Sequence, residues 1–311
     1  MQHKSFFRNF IVITLTLWAI FSLLLYQNLA LLGMVVIAFL LGLRHGFDVD
    51  HIIAIDNTTR QLAEKGNSSA TTGLFFALGH SSVVFLLTLV VILGMSLAQT
   101  QKAGLLTVGA IIGSIVSILF LWLTGSMNTV SLYRLIKYNH TSHAHSPFTR
   151  WLKPVFKLID KPYKMYFVGF FFGLGFDTAT EIALLGLAAT ATLNGESPWA
   201  ILCLPAAFAL GMTWVDSLDA LIMTKLVDKK LLNSAKHRTF NITILLIVIV
   251  TAFSIGFIQL CGLVRFNMRG VVNFIANHSP WFGGMLFFVL LILLFLFKFT
   301  GIFQRKNIPL Q

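Results

Sequence analysis

Long apolar runs separated by short polar breaks recur along the whole of this sequence. Several exceed the roughly 18 to 20 residues needed to cross a hydrocarbon core about 30 Å thick. The pattern predicts eight helical spans, near Phe10–Tyr26, Leu29–Ile55, Gly73–Ala98, Gly104–Ile136, Met165–Leu193, Pro198–Leu226, Phe240–Val264 and Trp281–Phe303. A helix satisfies its own backbone polar groups in lipid, so the expected fold is an all-α integral membrane bundle of about eight transmembrane helices. Residues 1–311 read as a single polytopic membrane domain with no soluble domain left over. The first run follows His3, Lys4 and Arg8; it is longer than a signal-peptide core and has no A-x-A-like cleavage site after it, so it reads as an uncleaved helix.

Composition agrees: 57% of residues are apolar and 11% charged, against roughly 25% charged in soluble domains. Lys and Arg fall unevenly across the alternate loops. One side holds nineteen, from Lys4 and Arg8 through the seven between Arg134 and Lys164 to Arg305 and Lys306; the other holds Lys102, Arg265 and Arg269. Positive loops stay inside, so both termini are expected in the cytoplasm of a cell-membrane protein. The net charge of +12 is then a topology signal and an attraction to anionic inner-leaflet headgroups, not a nucleic-acid footprint. Residues 138–164 form the longest break, a basic cytoplasmic loop between helices four and five. Its basic residues alternate with Trp151, Leu152, Val155, Phe156 and Leu158, a pattern suited to lying on the membrane surface. His140, His143 and His145 read as a solvated part of this loop rather than a metal tract. Cys203 and Cys261 sit in apolar runs without CxxC spacing and read as buried packing thiols.

Against this background the polar residues inside the spans stand out. Of eleven acidic residues, Asp48, Asp50, Asp56, Asp177, Glu181, Asp216 and Asp219 lie within or at the edge of spans, as do His45, His51 and His80 among nine histidines. A charge near the bilayer centre costs about 2.5 to 3.5 kcal/mol on insertion scales, so such residues face a protein interior and mark a pathway. At about 1.5 Å per helical residue, His45, His80, Asp177 and Asp216 all fall between the midplane and the inner leaflet. Buried ion pairing with Arg44 and with one another is the bland alternative.

The stretch RHGFDVDHI carries the densest cluster. On a regular helix, at about 100° per residue, His45, Asp48 and His51 share an arc of about 120° while Asp50 points away. Two imidazoles and a carboxylate on one face suit a divalent transition metal such as Ni(II), Co(II) or Zn(II). Asp50 would then orient a histidine or offset Arg44; a break at Gly46 would instead bring it in as a ligand. FFALGHSSVVF sets His80 between Gly79 and Ser81–Ser82, which allows close helix approach and hydroxyl contacts beside the imidazole. GLGFDTATEIALLG puts Asp177 and Glu181 at i, i+4, and GMTWVDSLDA puts Asp216 and Asp219 at i, i+3.

Together, RHGFDVDHI, FFALGHSSVV, LGFDTATEI and GMTWVDSLD resemble the four signature segments of the nickel/cobalt transporter (NiCoT) family, in order and across nearly the whole chain. Gly46 and Val49 stand where alanines are common in that family. The resemblance implies an eight-helix permease importing Ni(II) and, in some members, Co(II). It assigns His45, Asp50 and His51 to the signature motif, with Asp48 inside it, and makes His80, Asp177, Glu181 and Asp216 functional positions. The expectation is a secondary-type importer rather than an enzyme, with the metal as cargo and no cofactor; the chain has no Walker A sequence. The competing readings are a proton-coupled transporter of another substrate and an intramembrane metal-dependent hydrolase. No H-E-x-x-H sequence supports the latter. Oligomeric state is not legible.

Overall fold

The computed structural model of the chain describes residues 2–64, 69–94, 102–138, 160–174, 179–226, 235–264, 278, 280–289 and 291–292. Among them every regular element is helical. In chain order these are α1 (Gln2–Leu25), α2 (Leu29–Gly46), α3 (Val49–Glu64), α4 (Thr72–Gly94), α5 (Lys102–Tyr138), α6 (Met165–Gly173), α7 (Ala179–Leu193), α8 (Pro198–Ile201), α9 (Cys203–Leu226) and α10 (Ala235–Leu263). A shorter apolar helix, α11, covers Pro280–Val289. Six segments of the described chain are long and apolar enough to cross a membrane. Of the 138–164 loop only its two ends are described; the three histidines and the amphipathic stretch lie outside the described residues. At its inner end Lys164 Nζ sits 2.7 Å from Asp160 Oδ1, on the surface, and this contact holds the Asp160 carboxyl below its ordinary range.

The second expected span is not one helix. It divides into α2 and α3 at Phe47–Asp48, so the regular-helix reading of RHGFDVDHI does not hold. The sequence reason is local. Gly is the costliest ordinary residue in a helix interior and Asp is preferred at helix starts. Gly46 and Asp48 put both tendencies within three positions. The Asp48 N–H closes the last turn of α2 on the His45 carbonyl at 2.8 Å, and the Asp48 carbonyl accepts the Ile52 N–H at 3.2 Å to start α3. The fifth expected span is described as two helices, α6 and α7, with residues 175–178 between them outside the described residues.

The long helix α9 sits at the centre, packed against α2, α3, α4 and α7, while α4 pairs with α6 and α5 with α10. Two of these contacts bring backbones together. A Cβ at Gly42 would collide with the Phe208 carbonyl of α9, and one at Gly79 with the Tyr166 carbonyl of α6. Small residues at such crossings let helices approach closely where lipid supplies no hydrophobic force between them. Apolar packing surrounds the centre: Val35, Ala38, Leu184, Phe208 and Met212 on one side, Ile52, Ile53, Leu121, Met223 and Val248 on another. Outward, Leu15, Leu23, Leu40, Val250 and Phe257 are exposed, as a lipid-facing surface requires.

Helix α3 differs from the rest. Asp56, Asn57, Thr58, Thr59 and Arg60 are all buried. Part of this polarity is satisfied by α5, where Thr124 Oγ1 accepts from Asn57 Nδ2 at 3.2 Å and Asn128 donates to the Asn57 side-chain carbonyl. A polar helix is tolerated at membrane depth only when protein surrounds it, and α3 is enclosed by α4, α5, α9 and α10.

Candidate metal centre

Three imidazoles from three helices meet inside the bundle: His45 at the end of α2, His51 in the first turn of α3 and His80 in α4. All are buried to within 2%. Ring centroids lie 4.6 Å apart for His45 and His51, 4.8 Å for His45 and His80, and 4.9 Å for His51 and His80. One nitrogen from each falls within 4.8 Å of the others. Two ligands on opposite sides of an ion at metal–nitrogen distances near 2.1 Å stand about 4.2 Å apart. Small ring rotations therefore bring all three nitrogens onto one ion.

Carboxylates ring this group. Asp48 Oδ2 lies 2.8 Å from His45 Nδ1, Glu181 Oε1 2.9 Å from His80 Nε2, and Asp216 Oδ1 3.8 Å from His51 Nδ1. The last distance is too long for a hydrogen bond. Both Asp216 oxygens, His51 Nδ1 and His80 Nδ1 are buried and make no hydrogen bond among the described residues. A buried unsatisfied polar atom costs about 1 to 3 kcal/mol and more for a charge, so these atoms are poised for a cation rather than spent on the fold. The α2 C-terminus, where the helix dipole is negative, adds to the attraction. Phe76 packs on the His51 ring at 4.8 Å and Phe208 on the His45 ring at 5.4 Å, walling the site with apolar rings.

The α2–α3 break explains how two of the side chains converge. It lets His45 and His51 project from differently directed helices onto one point. On the facing side, α7 begins at Ala179 and presents Thr180 and Glu181 in its first turn. Discontinuous helices near mid-membrane are a recurrent way to build ion sites in transporters.

Of the positions singled out in the sequence, His45, Asp48, His51, His80, Glu181 and Asp216 come together. Asp177 lies outside the described residues. Asp50 does not join them even though the helix is broken: one carboxylate oxygen accepts the His51 N–H at 3.0 Å and the other accepts from Gln259 Nε2 at 3.4 Å. The hydroxyls beside His80 do not contact its ring; Ser82 Oγ donates to the Leu78 carbonyl and meets the Tyr166 hydroxyl at 2.8 Å. Arg44 is exposed and is not in direct ion-pair contact with a described carboxylate, although its charge reaches Asp48. Sequence reasoning passed over Thr180, whose Oγ1 is 3.0 Å from His45 Nδ1; its place between Asp177 and Glu181 in LGFDTATEI was the available signal. It also left out Asp56 and Asp219 as site residues. These two buried carboxylates lie next along α3 and α9, within electrostatic reach of each other.

Comparison with known proteins agrees with the chemistry of the site. Residues 31–304 match the family of high-affinity nickel-transport proteins, NicO. The nickel transporter NixA of Staphylococcus aureus is 38% identical over 244 residues, covering 74% of this chain and 72% of the relative. The high-affinity nickel-transport protein NixA of Helicobacter pylori (strain 26695) is 36% identical, with 73% of each chain covered. The cobalt transport protein NhlF of Rhodococcus rhodochrous is 36% identical, covering 75% and 71%. No solved structure matches significantly. With three buried imidazoles and three carboxylates at the centre of a membrane bundle, and a match over most of its length, this chain belongs to the NicO family of multi-pass nickel transporters, a family of carriers and not of enzymes.

Proposed function

We propose that the protein is a secondary-type importer that carries Ni(II), with Co(II) as second cargo, through the His45–His51–His80 centre. The observation that carries this reading is the meeting of three buried imidazoles with the carboxylates of Asp48, Glu181 and Asp216. Imidazole and carboxylate together favour borderline divalent metals over Mg(II), which prefers oxygen and water. Six long spans with the shorter apolar helices α7 and α11 support an eight-span topology, and the nineteen-to-three distribution of Lys and Arg supports cytoplasmic termini. Asp177, beside the site in sequence, completes the proposed functional set.

The steps follow from the geometry. A dication entering from outside meets the negative end of α2 and the carboxylate ring and takes up neutral imidazole nitrogens. His45 Nε2 and His80 Nε2 lie 3.0 Å apart, within hydrogen-bond distance, and Glu181 Oε1 is 2.9 Å from the latter, able to take a proton. An ion between them requires both nitrogens free of protons, because a coordinating imidazole nitrogen is deprotonated, and any proton held there passes to the Glu181 carboxylate beside His80. A membrane potential of 100 mV, inside negative, contributes about 4.6 kcal/mol to inward movement of a double charge.

The deciding experiment is uptake of labelled nickel and cobalt by the reconstituted protein, each competing against the other and against excess magnesium. Saturable uptake resistant to magnesium is expected. Uptake of an organic substrate indifferent to chelators would replace this reading with the proton-coupled alternative.

A further inference from the structure

Asp50 belongs to the densest polar stretch of the chain and yet faces away from the imidazoles, held from outside the cluster. Its Oδ2 accepts from Gln259 Nε2 at 3.4 Å, and Gln259 Oε1 in turn accepts from Ser117 Oγ at 3.0 Å. Gln259 lies in α10 and Ser117 in α5, helices that contribute no residue to the metal centre. Gln259 interrupts the apolar run AFSIGFIQLCGLV. An amide at that depth is costly unless both ends are paired, and both ends of this one are. The other Asp50 oxygen takes the His51 N–H at 3.0 Å, one of the amides that a helix start leaves without an intrahelical partner. A carboxylate in the first turn also complements the positive end of α3. Its charge remains within electrostatic reach of His45 and His51.

We infer that Gln259, backed by Ser117, is a positioning residue of the metal centre: it holds the Asp50 carboxylate against the start of α3 and out of the ligand set. Asp50 thereby fixes the backbone from which the His51 ring projects and lends the centre negative potential without binding the ion. Released from Gln259, the carboxylate is free to rotate away from the His51 amide, and both the aim of the His51 ring and the identity of the ligands change. This inference rests on the reading of the histidine cluster as the ion site.

The test is equilibrium nickel binding to the purified full-length protein in detergent, measured by titration calorimetry alongside the thermal midpoint of the metal-free protein. Gln259→Leu is expected to weaken nickel binding about tenfold, the scale of losing an outer-sphere partner, with an unchanged metal-free midpoint. Ser117→Ala shifts affinity the same way by less. In an Asp50→Ala background, Gln259→Leu has no further effect. Nickel affinity equal to the parent's in Gln259→Leu, or a full additional loss in the Asp50→Ala background, overturns the inference. Should Gln259→Leu fail to fold, the same cycle is run with Ser117→Ala and decides in the same way. If the parent binds no nickel, or His45→Ala binds like the parent, the cluster reading itself has failed and the inference falls with it.

Discussion

The Nε2 atoms of His45 and His80 lie 3.0 Å apart although the residues come from α2 and α4. Two imidazoles at this distance have room for one proton between them, or for an ion once the rings part by about 1 Å. Replacing either with alanine removes a ligand of the proposed centre. A drop in nickel uptake of at least about a hundredfold is expected, beyond the range typical of outer-sphere changes. Initial rates in proteoliposomes at matched protein density check this, with abundance in the membrane at the parent's level.

Thr180 Oγ1 contacts the opposite nitrogen of His45, at 3.0 Å, and so helps to fix the orientation of the ring. Thr180→Val keeps the shape and removes this contact; nickel affinity is expected to fall about tenfold. Thr180→Ser restores it. Equal binding by the valine and serine variants would show that the hydroxyl has no part in setting the imidazole.

Asp48 and Asp50 are two residues apart but have different surroundings. Asp48 lies 2.8 Å from His45 Nδ1, whereas Asp50 engages the His51 amide and Gln259. Asp48→Asn removes charge at the site and is expected to reduce uptake more than Asp50→Asn, which keeps an oxygen for the amide. Side-by-side saturation curves give the ranking, and the reverse order would make Asp50 the ligand.

The close crossing of α2 on α9 makes Gly42 intolerant of any side chain. Gly42→Val is expected to destabilise by at least the 1 to 3 kcal/mol typical of core overpacking, because the obstacle is the Phe208 backbone carbonyl rather than a mobile side chain. Reduced thermal midpoint and membrane abundance would register it. Gly33, with open space around its Cβ position, is the control: Gly33→Ala is expected to be neutral or mildly stabilising within a helix.

Orientation is checked with cysteines. In a chain lacking Cys203 and Cys261, a cysteine at Gly195 is expected to react with a membrane-impermeant thiol reagent on intact cells, and one at Ser142 is not. The opposite result would put the termini outside.

Much of this molecule is legible in its sequence, for physical reasons that also set the limit. Lipid forces long apolar helices and makes every buried charge conspicuous, so His45, His51, His80, Glu181 and Asp216 announce themselves by depth. The break after Gly46 was one of two readings the sequence left open, because angular arithmetic assumes one continuous helix and cannot choose between them. The partners of Asp50 were hidden because Gln259 is 209 positions away, and nothing in the local pattern pairs α3 with α10. Thr180 was visible only as a neighbour of acids, since a hydroxyl's partner depends on where α7 starts.

The joint between α2 and α3 also gives the cargo a mechanical part. His45 ends one helix and His51 begins the next, with only Phe47 and Asp48 between the helices. An ion held by both rings spans that joint and fixes the angle between its arms; when it leaves, only the short link remains. On the proposed function the transported metal is then a removable pin across this joint, and the loaded carrier is stiffer at that point than the empty one.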